Sequence, residues 1–164
     1  MIKNMKKGFT LIELLIVIAI IAAVVFVALD PLTRFQDARD SSRWTDVGAI
    51  IAAIKVDQVD NGGSYLSAVA TTTNAGVYMI GTCTSGATAT SITDYCDTNP
   101  DQVSCVDLTQ LVTDGYMSSV PVSPNGSGTW TSSTTGYTLE RRGNGILFIR
   151  ACESENSDEI EVGR

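Results

Sequence analysis

The hydrophobic and polar positions of the chain fall into three successive patterns. From Phe9 to Leu29 the residues are apolar apart from Thr10 and Glu13. A helix of that length spans about 31 Å, which matches the hydrocarbon core of a bilayer. The first pattern therefore predicts a membrane-spanning helix over residues 9–29.

The second pattern, over residues 30–62, is that of an amphipathic helix. Proline lacks a helical N–H and biases the residue before it away from the α region, so Asp30 and Pro31 interrupt the helical run. Two outcomes are open: a helix kink at Pro31, or a fresh helix with Asp30 as N-cap and Pro31 in the first position. Gly62 and Gly63 mark the expected end of this helix.

Apolar and charged side chains occupy different positions of the helical repeat in this second segment. We expect the apolar stripe to pack against the chain's own domain. Arg34 with Asp37, and Arg43 with Asp46, are spaced so that they can form ion pairs, and the charged face is a candidate contact with other subunits. The apolar stripe is Leu32, Phe35, Ala38, Trp44, Val47, Ile51 and Ile54, and the charged face is Arg34, Asp37, Arg39, Asp40, Arg43 and Asp46.

The third pattern, over residues 63–164, is that of a β-rich domain. Gly143 and Asn144 are a hairpin signal between two runs of strand-forming residues. The predicted fold is α+β: a long N-terminal helix packed against a small C-terminal antiparallel sheet. Strands are predicted at 76–80, 136–142, 145–152 and 159–162, with a short helix at 105–112 and an extended connection at 116–124.

Charge and composition exclude several classes of function. The chain has 18 acidic and 11 basic residues and no histidine. Without histidine there is no Ser-His-Asp or Cys-His arrangement and no imidazole base, so we predict neither an enzyme nor a cofactor. An acidic domain is also a poor general ligand for nucleic acid, because phosphate neutralisation needs clustered Lys and Arg.

The four cysteines are candidates for two disulfides. None has C-x-x-C spacing, and a mixed Cys/His zinc site needs the histidines that the chain lacks. An even count in an oxidising compartment favours disulfides, for which three connectivities are possible. We favour Cys83 with Cys96, which closes a short polar loop, and Cys105 with Cys152, which ties the middle of the domain to its last strands.

Calcium is the one metal worth weighing, and no metal site is predicted. Asp97, Asn99 and Asp101 offer oxygens at alternate positions, as a calcium loop does. The glycine that such a loop needs at its sharp turn is replaced by Gln102, so this set is a weak candidate.

The carboxylate of Glu13 decides between three interpretations of the apolar run. A secretory signal ends in a small-x-small cleavage site, and none of the alanines of the run, at positions 19, 22, 23 and 28, are spaced by two. An ordinary membrane anchor leaves the buried charge unexplained, because an unpaired charge in a membrane is costly. The segment from Gly8 through Phe9 to Glu13, preceded by Lys6 and Lys7, resembles the type III signal of type IV prepilins and pseudopilins.

This resemblance implies cleavage between Gly8 and Phe9 by a prepilin peptidase and N-methylation of Phe9. The implied domains are a cleaved leader (1–8), a transmembrane and filament-core helix (9–29), its amphipathic continuation (30–62) and an exterior β-rich domain (63–164). The resemblance extends into the second segment through DARDSSRWTDV and NGGSYL. The implied function is a structural subunit of a type IV pilus, held in the bacterial inner membrane with its C-terminus outside before it enters a surface or periplasmic filament.

The implied partners are prepilin peptidase, the inner-membrane assembly machinery, and identical or related subunits. In a filament, Glu13 would bind the amine of a neighbouring Phe9; alternatively, Glu13 only complements the dipole of its own helix. A pseudopilin of a secretion or DNA-uptake system is the close alternative, although Ser154–Glu161 lacks a recognisable form of the calcium loop usual in major pseudopilins. A single-pass anchored binding module that never polymerises is the alternative of another class.

Overall fold

A computed structural model describes residues 8–82, 105–126 and 128–164 of the chain. The chain divides into two compact units, residues 1–35 and residues 36–164, and we describe each by itself. The order of elements is a pair of successive helices followed by a region of short helices and strands. This is the predicted α+β class.

The first unit contains α1, Leu11–Ala28, whose side chains are all exposed. A helix of 18 residues measures about 27 Å along its axis, close to the thickness of the hydrocarbon core. By length and composition it begins a helical stretch apolar enough to cross a membrane. The apolar run therefore forms the helix that its pattern predicts.

The helical stretch is interrupted at Asp30, and α2 begins afresh at Pro31. Asp30 has a φ of 39°, its Oδ2 accepts a hydrogen bond from the Thr33 hydroxyl at 2.7 Å, and its carbonyl accepts from the N–H of Arg34. Proline suits the first helical position because its missing N–H has no helical partner there. Of the two alternatives at this point, the structure has the fresh helix.

The second unit is built on most of α2, Pro31–Asp60, which ends where the glycine pair predicts. Gly62 and Gly63 have φ values of 66° and 92°, and the N–H of Gly63 bonds back to the carbonyl of Gln58 at 2.7 Å. This left-handed end satisfies helical carbonyls that would otherwise lack donors.

After α2, the described part of the second unit contains a five-stranded sheet in the order β2-β1-β3-β4-β5 and two short helices. The predicted hairpin is confirmed: β3 and β4 pair antiparallel, with Arg141 opposite Leu147. The strands are β1 Val77–Ile80, β2 Cys105–Val106, β3 Tyr137–Arg141, β4 Leu147–Ala151 and β5 Glu161–Gly163, and the short helices are α3 Ser67–Ala70 and α4 Thr109–Thr113.

Two predictions about this sheet are wrong. The sheet is mixed and not antiparallel, because β1 and β2 run parallel, with Met79 beside Cys105. Residues 105–112 are not one helix, because Cys105 and Val106 extend the sheet edge before the chain turns into α4. Asp107 separates the two elements, since its side chain accepts the N–H of Thr109 at 2.8 Å.

The core of this unit lies between α2 and the sheet. Val47, Ile50, Ile51 and Ile54 are fully buried in one cluster with side chains of the sheet and of α4. The stripe predicted from Leu32 onward is therefore only partly right. Leu32, Phe35 and Trp44, on the N-terminal half of α2, remain 65%, 65% and 42% exposed. Leu32 and Phe35 precede Asp40, the first buried residue of the helix, and Trp44 is not among the buried positions that follow it.

The predicted disulfide between Cys105 and Cys152 does not fit the sheet. Cys105 lies in β2, whereas Cys152 directly follows β4, and β1 and β3 lie between those strands. Three strand spacings amount to about 14 Å, and a disulfide needs Cα atoms within about 7 Å. Cys83 and Cys96 lie outside the described residues, so their pairing stays a prediction.

If the four cysteines form two disulfides, Cys105 must pair with Cys83 or Cys96, and Cys152 with the other. Digestion of non-reduced, exported protein at aspartates tests this, because aspartates separate all four cysteines in the sequence. We expect mass spectrometry to find a peptide of Cys105 joined to one of the two earlier cysteines. A peptide that joins Cys105 to Cys152 would contradict the strand order. The separating aspartates are Asp94, Asp97, Asp101 and Asp107.

Candidate processing and assembly site

The peptide bond between Gly8 and Phe9 lies outside the helix, on exposed chain. Phe9 is 86% exposed, and α1 begins only at Leu11. A side chain added at Gly8 would meet nothing within 4 Å, and the backbone there is not left-handed. The fold therefore gives no reason for glycine at this position, and a requirement for it would have to come from outside the chain.

Thr10 and Glu13 form a capping box at the start of α1. The carboxylate oxygen Oε2 of Glu13 accepts from the Thr10 N–H at 2.8 Å and from the Thr10 hydroxyl at 2.7 Å. In return, the Glu13 N–H donates to the Thr10 hydroxyl at 3.3 Å. These bonds satisfy N–H groups that have no partner within a helix.

The capping box determines how Phe9 and Glu13 are placed relative to the first turn of α1. Phe9 precedes the N-cap Thr10, so it is not part of the helical turn that holds Glu13. Both side-chain bonds of Glu13 end on Oε2, which leaves Oε1 able to accept a donor from another molecule. The dipole interpretation and the docking interpretation of Glu13 are therefore compatible in this geometry.

The lateral surface of α1 is apolar on every side. None of its residues is buried within the chain, and Glu13 is its one charged residue. Such a helix has no polar face to turn towards water. It needs an apolar environment all round, which a bilayer or a bundle of similar helices supplies.

A second group of charged residues joins α2 to the segment after β4. Arg43 is fully buried, and its guanidinium makes five hydrogen bonds, one for each N–H that it carries. The partners are Ser123 Oγ at 3.1 Å, Asp40 at 2.8 Å, Glu155 at 3.0 Å, Glu153 at 2.9 Å and the carbonyl of Pro124 at 3.0 Å. We call Arg39, Asp40, Arg43, Glu153 and Glu155 the arginine cluster.

Asp40 holds the backbone of the same segment. Its carboxylate accepts from the N–H groups of Glu155, Asn156 and Ser157 at 3.1, 2.8 and 2.9 Å. Burial alone would raise the pKa of Asp40, but these three N–H groups and the Arg43 guanidinium together hold it below its usual value.

Glu155 is held by a second arginine. Arg39 donates to both carboxylate oxygens of Glu155, and this contact is the main reason that the pKa of Glu155 lies below its usual value. Arg43 adds a further bond to the same carboxylate. The two arginines thus neutralise the acids that follow β4.

The sequence predicted other partners for these charges. Arg43 pairs with Asp40 and not with Asp46, which instead accepts from the Tyr137 hydroxyl at 2.6 Å. Asp37 accepts from the side chain of Asn156 at 2.8 Å. Much of the charged face of α2 therefore packs on its own domain, and its contact with other subunits stays a prediction. An acidic stretch after the last hairpin was the available signal for this pairing.

We expect Arg43→Met to lower the free energy of unfolding by about 3–5 kcal/mol, because it leaves buried carboxylates without their counter-charge. Urea unfolding of the full chain in detergent at pH 7 measures the loss. Asp158→Asn, at an exposed acid of the same segment, is the matched control and should stay close to wild type.

The arginine cluster should also make the stability of the folded chain depend on pH. The pKa values of Asp40 and Glu155 are lower in the folded chain than their ordinary 3.8 and 4.5. Their contribution is therefore present above those ordinary values and is lost as the pH falls through the lower folded values. An Arg43→Met chain as stable as wild type, with the same acid sensitivity, would show that the cluster is not what holds this segment.

The remaining predicted site residues are not brought together by the described structure. Cys83, Cys96 and the calcium candidates Asp97, Asn99 and Asp101 lie outside the described residues. Pro31 lies at the start of α2, where it opens the helix. Gly8, Phe9 and Glu13 remain as the candidate site for processing and assembly.

Comparison with known proteins places a motif on this N-terminal site. Residues 3–29 match the family model of the prokaryotic N-terminal methylation motif. No curated protein and no solved structure matches the chain. The match spans the basic leader, the Gly8–Phe9 bond, the capping box and α1, which together fit a membrane-anchored precursor. The chain thus carries the prepilin-type leader that type IV pilins and pseudopilins share.

Proposed function

We propose that the chain is a structural subunit of a type IV pilus or pilin-like filament, cut by a prepilin peptidase and assembled through its N-terminal helix. The observation that carries this proposal is α1, which is apolar on every side and directly follows the methylation motif. Before assembly the bilayer surrounds α1. After assembly the same helices of other subunits take the place of the lipid, and a head-to-tail contact that repeats without closing gives an open filament.

The geometry at Gly8 supports processing at the Gly8–Phe9 bond. The bond is exposed and lies outside the helix, and glycine is not needed there by the fold. A peptidase that reads glycine directly before the cut accounts for the residue. The proposed product begins with an N-methylated Phe9.

Charge supports the orientation in the membrane. Lys3, Lys6 and Lys7 precede the apolar run, and basic residues beside a span remain on the cytoplasmic side. The acidic C-terminal domain then lies outside the inner membrane. The proposed partners are the prepilin peptidase, the assembly machinery of the inner membrane, and copies or relatives of this subunit.

Glu13 supports the assembly step. Its Oε2 is used within its own capping box, whereas Oε1 can accept the ammonium of Phe9 from a neighbouring subunit. A carboxylate in an apolar bundle is costly without a cation, so this pairing would set the axial position of one helix against the next.

A pseudopilin of a secretion or DNA-uptake system is the alternative that shares the same motif. The arginine cluster favours the pilus, because Arg39 and Arg43 already neutralise Glu153 and Glu155 after β4. Resemblance to major pseudopilins would lead us to expect a calcium loop near the C-terminus. A single-pass binding module that never polymerises uses the same anchor, and it differs in leaving no subunits in sheared filaments.

Processing is tested by intact mass after co-expression with a prepilin peptidase. We expect the loss of residues 1–8 and an added methyl group on Phe9. Gly8→Val should block the cut while α1 still enters the membrane, because the glycine is not needed by the fold. A mature chain that keeps its leader, or one cut after Ala28, would exclude a prepilin-type subunit.

The role of Glu13 is tested by three variants in competition with wild-type subunits in the same cells. Glu13→Val removes the charge and the cap, Glu13→Gln removes the charge but keeps a capping side chain, and Thr10→Ala removes the capping hydroxyl but keeps the charge. If the charge docks the neighbouring amine, both Glu13 variants should be at least about tenfold depleted in sheared filaments, the ratio given by 1.4 kcal/mol. Thr10→Ala should be incorporated normally.

Leader cleavage, measured by mass in the same cells, is the control and should be unchanged in all three variants. Depletion of Thr10→Ala and Glu13→Val with normal incorporation of Glu13→Gln would instead assign Glu13 to the helix cap alone.

A further inference from the structure

A polar cavity lies at the C-terminal end of α2, away from the N-terminal site. Its volume is about 320 Å³, and it is bordered by the end of α2, the turn that follows and α4. Each of the polar side chains in this lining carries an oxygen atom that could bind a cation. The oxygen-bearing side chains that line it are Asp57, Asn61, Ser64, Tyr65, Ser67, Gln110 and Asp114.

Asp57 is the unusual member of this lining. It is 1% exposed, and its Oδ1 accepts from the side-chain amide of Asn61 at 2.8 Å. Its Oδ2 is buried and has no hydrogen-bond partner in the described part of the chain. A buried carboxylate oxygen left unpartnered is costly, so the fold keeps Asp57 in place at the expense of stability.

The surroundings of Asp57 are negative. Asp60 belongs to the last turn of α2, which has no basic residue, although the C-terminal end of a helix favours cations. Burial, a hydrogen bond to Asp60 and the charges of Asp57 and Asp114 raise the pKa of Tyr116. The negative charges of Asp57, Asp60 and Asp114 are therefore all close enough to affect Tyr116.

The described chain supplies no counter-ion to these aspartates. None of the ion pairs in its described part includes Asp57, Asp60 or Asp114. Lys55, the nearest lysine in sequence, donates to Gln58 and to the Tyr65 hydroxyl. Residues 83–104 contain neither Lys nor Arg, so that segment carries no fixed cation either.

We propose that this cavity is a binding site for a divalent cation of the calcium class, held by the carboxylates of Asp57 and Asp114 with neutral oxygens of the lining. Calcium takes six to eight oxygen ligands, including amide oxygens and waters, and the cavity has room for an ion that keeps part of its hydration. Zinc does not suit the site, because zinc prefers sulfur and nitrogen ligands. The lining combines two carboxylates with neutral oxygens, and the described residues hold no group of three or more acidic or cysteine side chains that could bind a metal by themselves.

Because the site has only two carboxylates, we expect it to bind calcium weakly, as extracellular calcium-binding modules do, with a Kd of about 10⁻⁴–10⁻³ M. The inference goes beyond filament assembly, since the ion would tie the end of α2 to α4 within one subunit. It is independent of whether the subunit polymerises.

Thermal unfolding of the purified full chain in detergent tests the site. Wild-type chain should gain about 3–10 °C in Tm at about 10 mM CaCl₂ relative to NaCl of equal ionic strength. Asp57→Asn and Asp114→Asn should each lose this gain, whereas Asp158→Asn should keep it. Each variant is compared with itself, with and without calcium, so a change in basal stability does not enter.

Terbium provides a second readout. Tyr65 lines the cavity, so excitation of tyrosine should sensitise bound Tb³⁺, and calcium should displace it. If Asp57→Asn fails to fold, Asp114→Asn decides by the same two measurements. The proposal is overturned if calcium leaves the Tm of the wild-type chain unchanged. It is also overturned if Asp57→Asn and Asp114→Asn gain as much in Tm as the wild-type chain does. Neither result would affect the filament assignment, which rests on α1.

Discussion

Burial of one arginine is the constraint on which the exterior domain depends. Arg43 lies fully inside the protein, and an ion in that position is tolerated only when its charge and every donor are matched. Asp40 of the same helix supplies part of this match. The rest comes from Ser123 and Pro124 and from Glu153 and Glu155 after β4, all distant in sequence from α2. Helix, loop and C-terminal segment must therefore come together at once, which favours a cooperative fold over a helix with a loosely attached sheet.

The two units differ in which side chains they bury and which they expose. The domain hides charge by pairing it internally, whereas α1 displays an uninterrupted apolar surface and carries its single carboxylate at its first turn. Within the first unit, Asp30 with its positive φ and Pro31 after it lie between α1 and the start of α2.

Local signals in the sequence predicted much of this structure. The apolar run, Gly62 with Gly63, and the hairpin at Gly143 and Asn144 each act through neighbouring residues, and each lies where expected. What was missed depends on long-range contacts. The two-residue strand β2 forms only beside β1, and the distance from Cys105 to Cys152 follows from strand order. The bonds of Arg43 to Glu153 and Glu155 join residues more than 100 positions apart. The unpartnered oxygen of Asp57 likewise has no signature in a spacing pattern.

The position of the capping box determines whether α1 can form before the Gly8–Phe9 bond is cut. Thr10 and Glu13 both lie after the Gly8–Phe9 bond, so a cut there would remove none of the bonds that start α1. The helix would be as well begun in the precursor as in the mature chain, and no refolding would be needed between them. What the cut changes is charge: three lysines leave and one terminal amine takes their place next to the cap. Maturation would then work as an electrostatic trigger on a helix that is already complete.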